Sequence, residues 1–219
     1  MSAAANAFLL AFAALFPIVN PVGGAPIFLA LTRHLPAAVR RSLALRIAIN
    51  GFCLLVASIF VGSYVLEFFG ITLPVVRIGG GLVVTVFAWK MLNDDSTAIE
   101  KKTTETGARD AVDPALDAFY PLTMPLTVGP GSISVAITLG SQRPKISNGI
   151  EALLPAASGA IAGVLALAAT IYVCYRFADR IVAALGTAGT NVLTRLSAFI
   201  LFCIGIQILW NGYSALIAP

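Results

Sequence analysis

Six long apolar stretches, at about 4–31, 44–66, 73–92, 118–140, 153–175 and 191–216, constrain this chain more than any other feature. A bilayer core about 30 Å thick takes roughly 20 apolar residues per helix, so 219 residues divide into six spans with little left over. In hydrocarbon every backbone amide and carbonyl must be satisfied inside the protein, which favours helices as the spanning elements. The predicted fold is therefore an all-α integral membrane protein with six transmembrane helices. Only 11% of residues are charged, against about 25% in soluble domains. With a mean hydropathy of +0.92, that excludes a soluble enzyme. The opening MSAAANAFLLAFAAL lacks the basic segment of a cleavable signal and reads as part of the first span.

Net charge is +4, but in a membrane chain basic residues report orientation before they report a nucleic-acid partner, and none is expected. Arg33, Arg40, Arg41 and Arg46 follow span one, Lys90, Lys101, Lys102 and Arg109 follow span three, and Arg176, Arg180 and Arg195 follow span five. The other side receives Arg77, Arg143 and Lys145, so eleven of fourteen basic residues share one face. The positive-inside rule makes that face cytoplasmic and both termini periplasmic. Residues 93–117 carry seven of the ten acidic residues and read as a cytoplasmic polar linker between halves 1–92 and 118–219. Cys53, Cys174 and Cys203 sit singly in apolar runs, which suggests small buried hydrophobes rather than a disulfide framework or a metal site. No cofactor is expected.

The halves share a pattern. Pro17, Pro21 and Pro26 recur as Pro121, Pro125 and Pro130, each 104 residues on, and each set follows an aromatic, Phe16 or Tyr120. Arg77 and Asn93 bracket span three as Arg195 and Asn211 bracket span six, each 118 residues on. Three spans is an odd number, so a second copy enters the membrane from the opposite side. The expected architecture is two inverted three-helix repeats about an axis in the membrane plane.

The first span of each repeat cannot run as unbroken helix. An interior proline removes a donor and clashes one turn back, at about 3 kcal/mol. The freed groups need protein or water partners, so the breaks should face the bundle interior and meet near the midplane. Either break is a full crossing with an unwound centre or the tip of a re-entrant hairpin. A helix restarting at Ala25-Pro26-Ile27, or at Pro130-Gly131-Ser132, would aim free amides and its positive dipole end at the cavity, where an anion binds. Gly23, Gly24, Gly129 and Gly131 would let a ligand approach the backbone. Asn20, Thr123 and Thr127, beside unwound carbonyls, suit an ammonium group or a cation.

The candidate substrate-binding set is thus Asn20, Pro21, Gly23, Gly24, Pro26, Thr123, Pro125, Thr127, Gly129, Pro130, Gly131 and Ser132. A proline kink that merely aids packing explains one break alone, and two matched breaks favour the functional reading. Asn50, Arg77, Arg195 and Gln207 form a second tier, with interhelical hydrogen bonding or interfacial snorkelling as the plainer account. Gly159-x3-Gly163 and Ser58-x3-Gly62 are small-x3-small patterns assigned to helix packing.

FPIVNPVGGAPIF, RIGGGLVVTVFAWKMLN and FYPLTMPLTVGPGSI, in that order, resemble the MarC family of six-span bacterial inner-membrane proteins. The resemblance covers essentially the whole chain. It implies an inner-membrane location and kinship with proteins described as carriers of small neutral amino acids such as glycine and alanine. It carries over Asn20, Pro21, Gly23 and Pro26 from the first element, and Pro125, Gly129, Pro130 and Gly131 from the second. Asn20 answers to Met124, and Gly23 and Gly24 to Thr127 and Val128, so any site would be asymmetric.

The leading function is a secondary transporter for a small zwitterion, working by alternating access at the paired breaks. Sodium or a proton is the candidate coupling ion, although no acidic residue lies in the centre of a span. A passive channel, an exporter of another small metabolite or a homo-oligomer stays open. A membrane-embedded enzyme is disfavoured: the one histidine, His34, lies in a basic loop, and Ser132 and Ser134 lack a base.

Overall fold

The computed structural model describes residues 2–93, 118–120, 122–142 and 150–217, and every regular element among them is helical. Beyond Asn93 the expected linker lies outside the described residues, as do Pro121, Arg143 and Lys145. The elements are α1 (Ala3–Val19), α2 (Pro21–Thr32), α3 (Ala37–Phe68), α4 (Leu73–Asn93), a π-helical turn (Leu122–Thr127), α5 (Pro130–Ser141), α6 (Ile150–Arg176) and α7 (Ala178–Ile217).

Length and composition let α3, α4, α6 from Leu153, and α7 cross a bilayer singly, and α1 with α2, bent by 41°, makes a fifth candidate. The fourth apolar stretch is different. Its α5 has 12 residues, about 18 Å of helix, and the irregular turn occupies the remainder. In α7 the backbone breaks at Gly186 (φ 65°, ψ −177°), so residues 178–185 precede the expected sixth span as a separate short helix. Large apolar side chains cover the exterior: Leu10 is 62%, Phe68 84% and Trp210 62% exposed. Such a surface suits lipid rather than water.

With apolar lipid outside, burial of apolar surface drives helix association weakly, and close packing through small residues replaces it. A methyl on Gly159 would strike the carbonyl of Ala4, and one on Gly163 would lie 2.7 Å from the carbonyl oxygen of Phe8. Gly24 and Phe28 meet Tyr175 further along the same helix. So α1 and α2 advance together along α6, and their junction is a bend of 41°.

The second half packs on α3 in the same sense. Gly51 faces Val128, and Gly62 faces Ile137. By contrast α4 and α7 run antiparallel: Gly81 lies against Leu209, Gly205 against Thr85, and Gly212 against Pro74 and Arg77.

Two apolar clusters result. The larger joins α1, α2, α3, α6 and the second break through Leu15, Phe28, Ile47, Leu55, Val128, Leu167 and Ile171. The smaller joins Val84, Ala88 and Leu201, with Ile18, Phe87 and Phe202 packed on it. At the arginine-bearing end, Arg40 Nη2 lies 2.7 Å from Asp179 Oδ2 and ties α3 to α7, while Nη1 donates to the Leu35 carbonyl. Asp179 is more than half exposed, so the pair contributes at most about 1 kcal/mol.

Candidate functional site

The first break is a single residue. Asn20 adopts the left-handed conformation (φ 48°, ψ 60°), its amide closing α1 on the Phe16 carbonyl at 2.9 Å. Its side-chain Oδ1 accepts from the Gly23 amide at 3.1 Å, and its carbonyl accepts from the Gly24 amide at 2.9 Å. Asn tolerates this conformation and is among the best N-caps, and Pro21 takes the first helical position, where no amide is needed. The expectation of a restart at Ala25-Pro26-Ile27 is therefore corrected. Helix resumes at Pro21, Gly23 and Gly24 are helical, and the half-buried Pro26 lies inside α2.

The two glycines serve contact rather than unwinding. A methyl at Gly23 would meet the side-chain nitrogen of Asn20 and, at 2.6 Å, Ser197 Oγ. At Gly24 it would lie 2.7 Å from the Tyr175 hydroxyl.

The second break is longer. The Thr123, Met124 and Val128 amides reach back five residues to the Ala118, Phe119 and Thr123 carbonyls, while Met124 itself is extended (φ −117°, ψ 120°) and the Met124–Pro125 peptide is cis. Buried hydroxyls add to the turn's bonds: Thr123 donates to the Ala118 carbonyl that its own amide also reaches, and Thr127 donates to Leu122 at 2.8 Å. Gly129 precedes α5 in extended conformation and offers no side-chain cap. Gly131 and Ser132 follow Pro130 in the first turn, whose amides have no intrahelical acceptor. The Ser132 hydroxyl donates to the Gly129 carbonyl at 2.8 Å.

These residues line a cavity of about 70 Å³ at the seam between the two apolar clusters. Pro125, Leu126, Thr127, Gly129, Pro130, Gly131 and Ser132 form one wall, and Ile18, Val83, Val84, Phe87 and Leu201 form the other. That is room for only a few water molecules. Asn20, Pro21, Gly23, Gly24 and Pro26 do not line it, and nor does Thr123.

One side chain joins the breaks. Tyr175, 3% exposed, places its hydroxyl 2.9 Å from Thr127 Oγ1 and against Gly24, with its ring stacked on Phe28 at 4.7 Å and 11°. A tyrosine in the last turn of an apolar span, beside Arg176, reads from sequence as an interfacial aromatic. Ser197 is also absent from the candidate set, because a lone serine in an apolar helix carries no spacing signal.

The second tier scatters. Arg77 Nε donates to Thr138 Oγ1 at 3.3 Å, away from the cavity. Gln207 is exposed and donates along its own helix to Asn211 Oδ1 at 2.9 Å. Arg195 is exposed on α7, and Asn50 is half-buried beside Gly51. Among the described residues no group of His, Cys, Asp and Glu is placed to hold a metal ion.

A model described as "MarC family integral membrane protein" matches residues 5–217, which contain both breaks and every helix that packs on them. The chain belongs to the MarC family. Inner membrane proteins MarC of Escherichia coli strains SMS-3-5, UTI89 and K12 are each 30% identical to it over 205 residues, covering 93% of this chain and 92% of theirs. No solved structure matches significantly. Membership of MarC, with the apolar helices, makes this a multi-pass inner-membrane protein embedded in lipid. Neither the family description nor the relatives' names states an activity.

Proposed function

We propose that this MarC-family chain is a secondary transporter of small neutral amino acids, glycine- or alanine-like, whose site lies at the paired helix breaks. The observation that carries the proposal is the convergence of the breaks: Tyr175 touches Gly24 of one and Thr127 of the other, beside the cavity under the α5 N-terminus. Free first-turn amides and the helix dipole favour the carboxylate of a zwitterion. The threonine hydroxyls and turn carbonyls suit its ammonium group. A small, neutral-walled cavity fits a ligand with one charge of each sign and almost no side chain.

Packing supports an inverted three-plus-three arrangement of residues 1–92 and 118–219. Exchange of the halves maps α1–α2 running along α6 onto 118–141 running along α3, both parallel, and maps the antiparallel α4–α7 pair onto itself. Two halves of opposite direction are what rocking about a central site requires.

Purified protein in proteoliposomes should take up labelled glycine and alanine saturably and show counterflow, which a channel does not. Imposed sodium, proton and voltage gradients identify the coupling ion. No flux above empty vesicles under any gradient would sink the proposal.

A further inference from the structure

We propose that Tyr175 is the gating residue of this site, its ring sealing the arginine-bearing side of the breaks against Phe28 and its hydroxyl latching that seal to the second break through Thr127. The inference rests on the transporter reading above and adds which side is closed in this structure and by what.

Phe28 is 1% exposed and lies on α2, a little over one helical turn before Arg33. Tyr175 is followed at once by Arg176, whose guanidinium sits over the Tyr172 and Phe177 rings. The stacked pair therefore stands between the breaks and the charged end of the bundle. Thr127 already donates to the Leu122 carbonyl, so its oxygen is left to accept, and the tyrosine hydroxyl is the donor across the 2.9 Å contact. The direction Tyr175 to Thr127 to Leu122 ties a side chain of α6 to the irregular turn that walls the cavity.

A tyrosine filling space could bond any nearby carbonyl. This one bonds a side chain on a turn without regular helical bonds, and Gly24 is the only residue type that leaves its oxygen room. Movement of α2 against α6, or of the turn against either, must break the stack or the bond. A single neutral hydrogen bond shifts such an equilibrium by about fivefold. That is enough to bias a gate without locking it.

The test reads accessibility, not stability alone. Ser132→Cys places a thiol in the cavity wall, and a membrane-impermeant maleimide is applied to right-side-out and to inverted vesicles, with modification of that residue followed by peptide mass spectrometry. Tyr175→Phe keeps the ring and removes the latch; Thr127→Val removes the acceptor and serves if the first variant folds poorly. Both should raise the labelling rate about fivefold from the arginine-bearing side only, and Phe28→Ala should raise it more. Tyr213→Phe, exposed on α7, should leave it unchanged. Equal rates in all variants, or a rise from both sides, would overturn the gate. Glycine and alanine flux measured in unlabelled vesicles that keep Ser132, with and without the Tyr175 substitution, separates the two proposals. A one-sided labelling change without such flux keeps the gate and removes the substrate, and flux without a labelling change does the reverse.

Discussion

The two helix breaks carry the same proline spacing and solve it differently. At the first, Asn20 alone leaves helical geometry and caps the next helix with its own side chain. At the second, Met124 stands in the corresponding place. A methionine has no side-chain acceptor for a cap and pays a left-handed conformation with strain. The chain there is extended at Met124, adds buried threonine hydroxyls as donors to its carbonyls, and delivers a helix with no side-chain cap at Gly129. One residue type thus decides which of two similar segments is a hinge and which is a receptive end. Of the two helices that restart after the breaks, α5 alone begins without a side-chain cap and lines the cavity between the breaks, so the two matched anion-binding ends that the proline pattern suggests reduce to one.

The sharpest way to break this comparison is to write the second solution into the first. Asn20→Met should lose the cap, worth about 1 kcal/mol, and the ease of left-handed geometry, worth about 1–2 kcal/mol. We expect a destabilisation of about 2–3 kcal/mol in detergent unfolding. Asn20→Gly keeps the geometry and, as a tolerable N-cap, should lose only a few tenths of a kcal/mol. Equal effects of the two substitutions would show that neither conformation nor capping distinguishes the breaks.

A smaller effect is expected where α5 meets α4. A methyl on Gly131 would strike Val84, a cavity-lining side chain that is 7% exposed. Gly131→Ala should therefore cost about 1–2 kcal/mol, as overpacked sites do, and abolish thermal stabilisation by added glycine. Gly79→Ala, which meets nothing within 4 Å in the interior of α4, is the control: it should cost no stability, gaining up to about 1 kcal/mol from helix propensity, and should leave stabilisation by glycine intact.

What the sequence made legible follows from how local each feature is. The apolar stretches, the restart at Pro130 and the packing role of Gly159 and Gly163 all rest on residues close together in the chain. Gly62 was likewise readable as a packing residue, and it faces Ile137. The position of the first restart was not, because three prolines and two glycines outweigh a single Asn in any reading by residue type, whereas in the structure Asn20 alone absorbs the break. Tyr175 and Ser197 escaped for a different reason. Each lies more than 150 residues from Gly24 or Gly23, which it touches, and such a contact leaves no spacing to read. Arg77 drew attention by its charge, yet its recorded partner is the hydroxyl of Thr138 at the far end of α5.

The smallest expected effect tests the receptive end most directly. Gly129→Ser supplies the cap that α5 lacks, from a position whose backbone (φ −96°, ψ 177°) any residue adopts. A serine in place of glycine at such a site should stabilise by only a few tenths of a kcal/mol. Its oxygen would occupy the first-turn amides that a substrate carboxylate would use. A methyl at this position lies 3.2 Å from the Pro125 carbonyl, tight enough to need a slight adjustment, so a net stability change near zero is the expectation. Stability and ligand binding should then part company: unfolding barely altered, and glycine affinity reduced about tenfold, the equivalent of 1.4 kcal/mol. At the first break Asn20 already supplies such a cap, its side chain holding the Gly23 amide. Unchanged glycine affinity in Gly129→Ser, with the protein folded, would mean that the carboxylate does not sit at α5, and the asymmetry between the breaks would then concern folding alone.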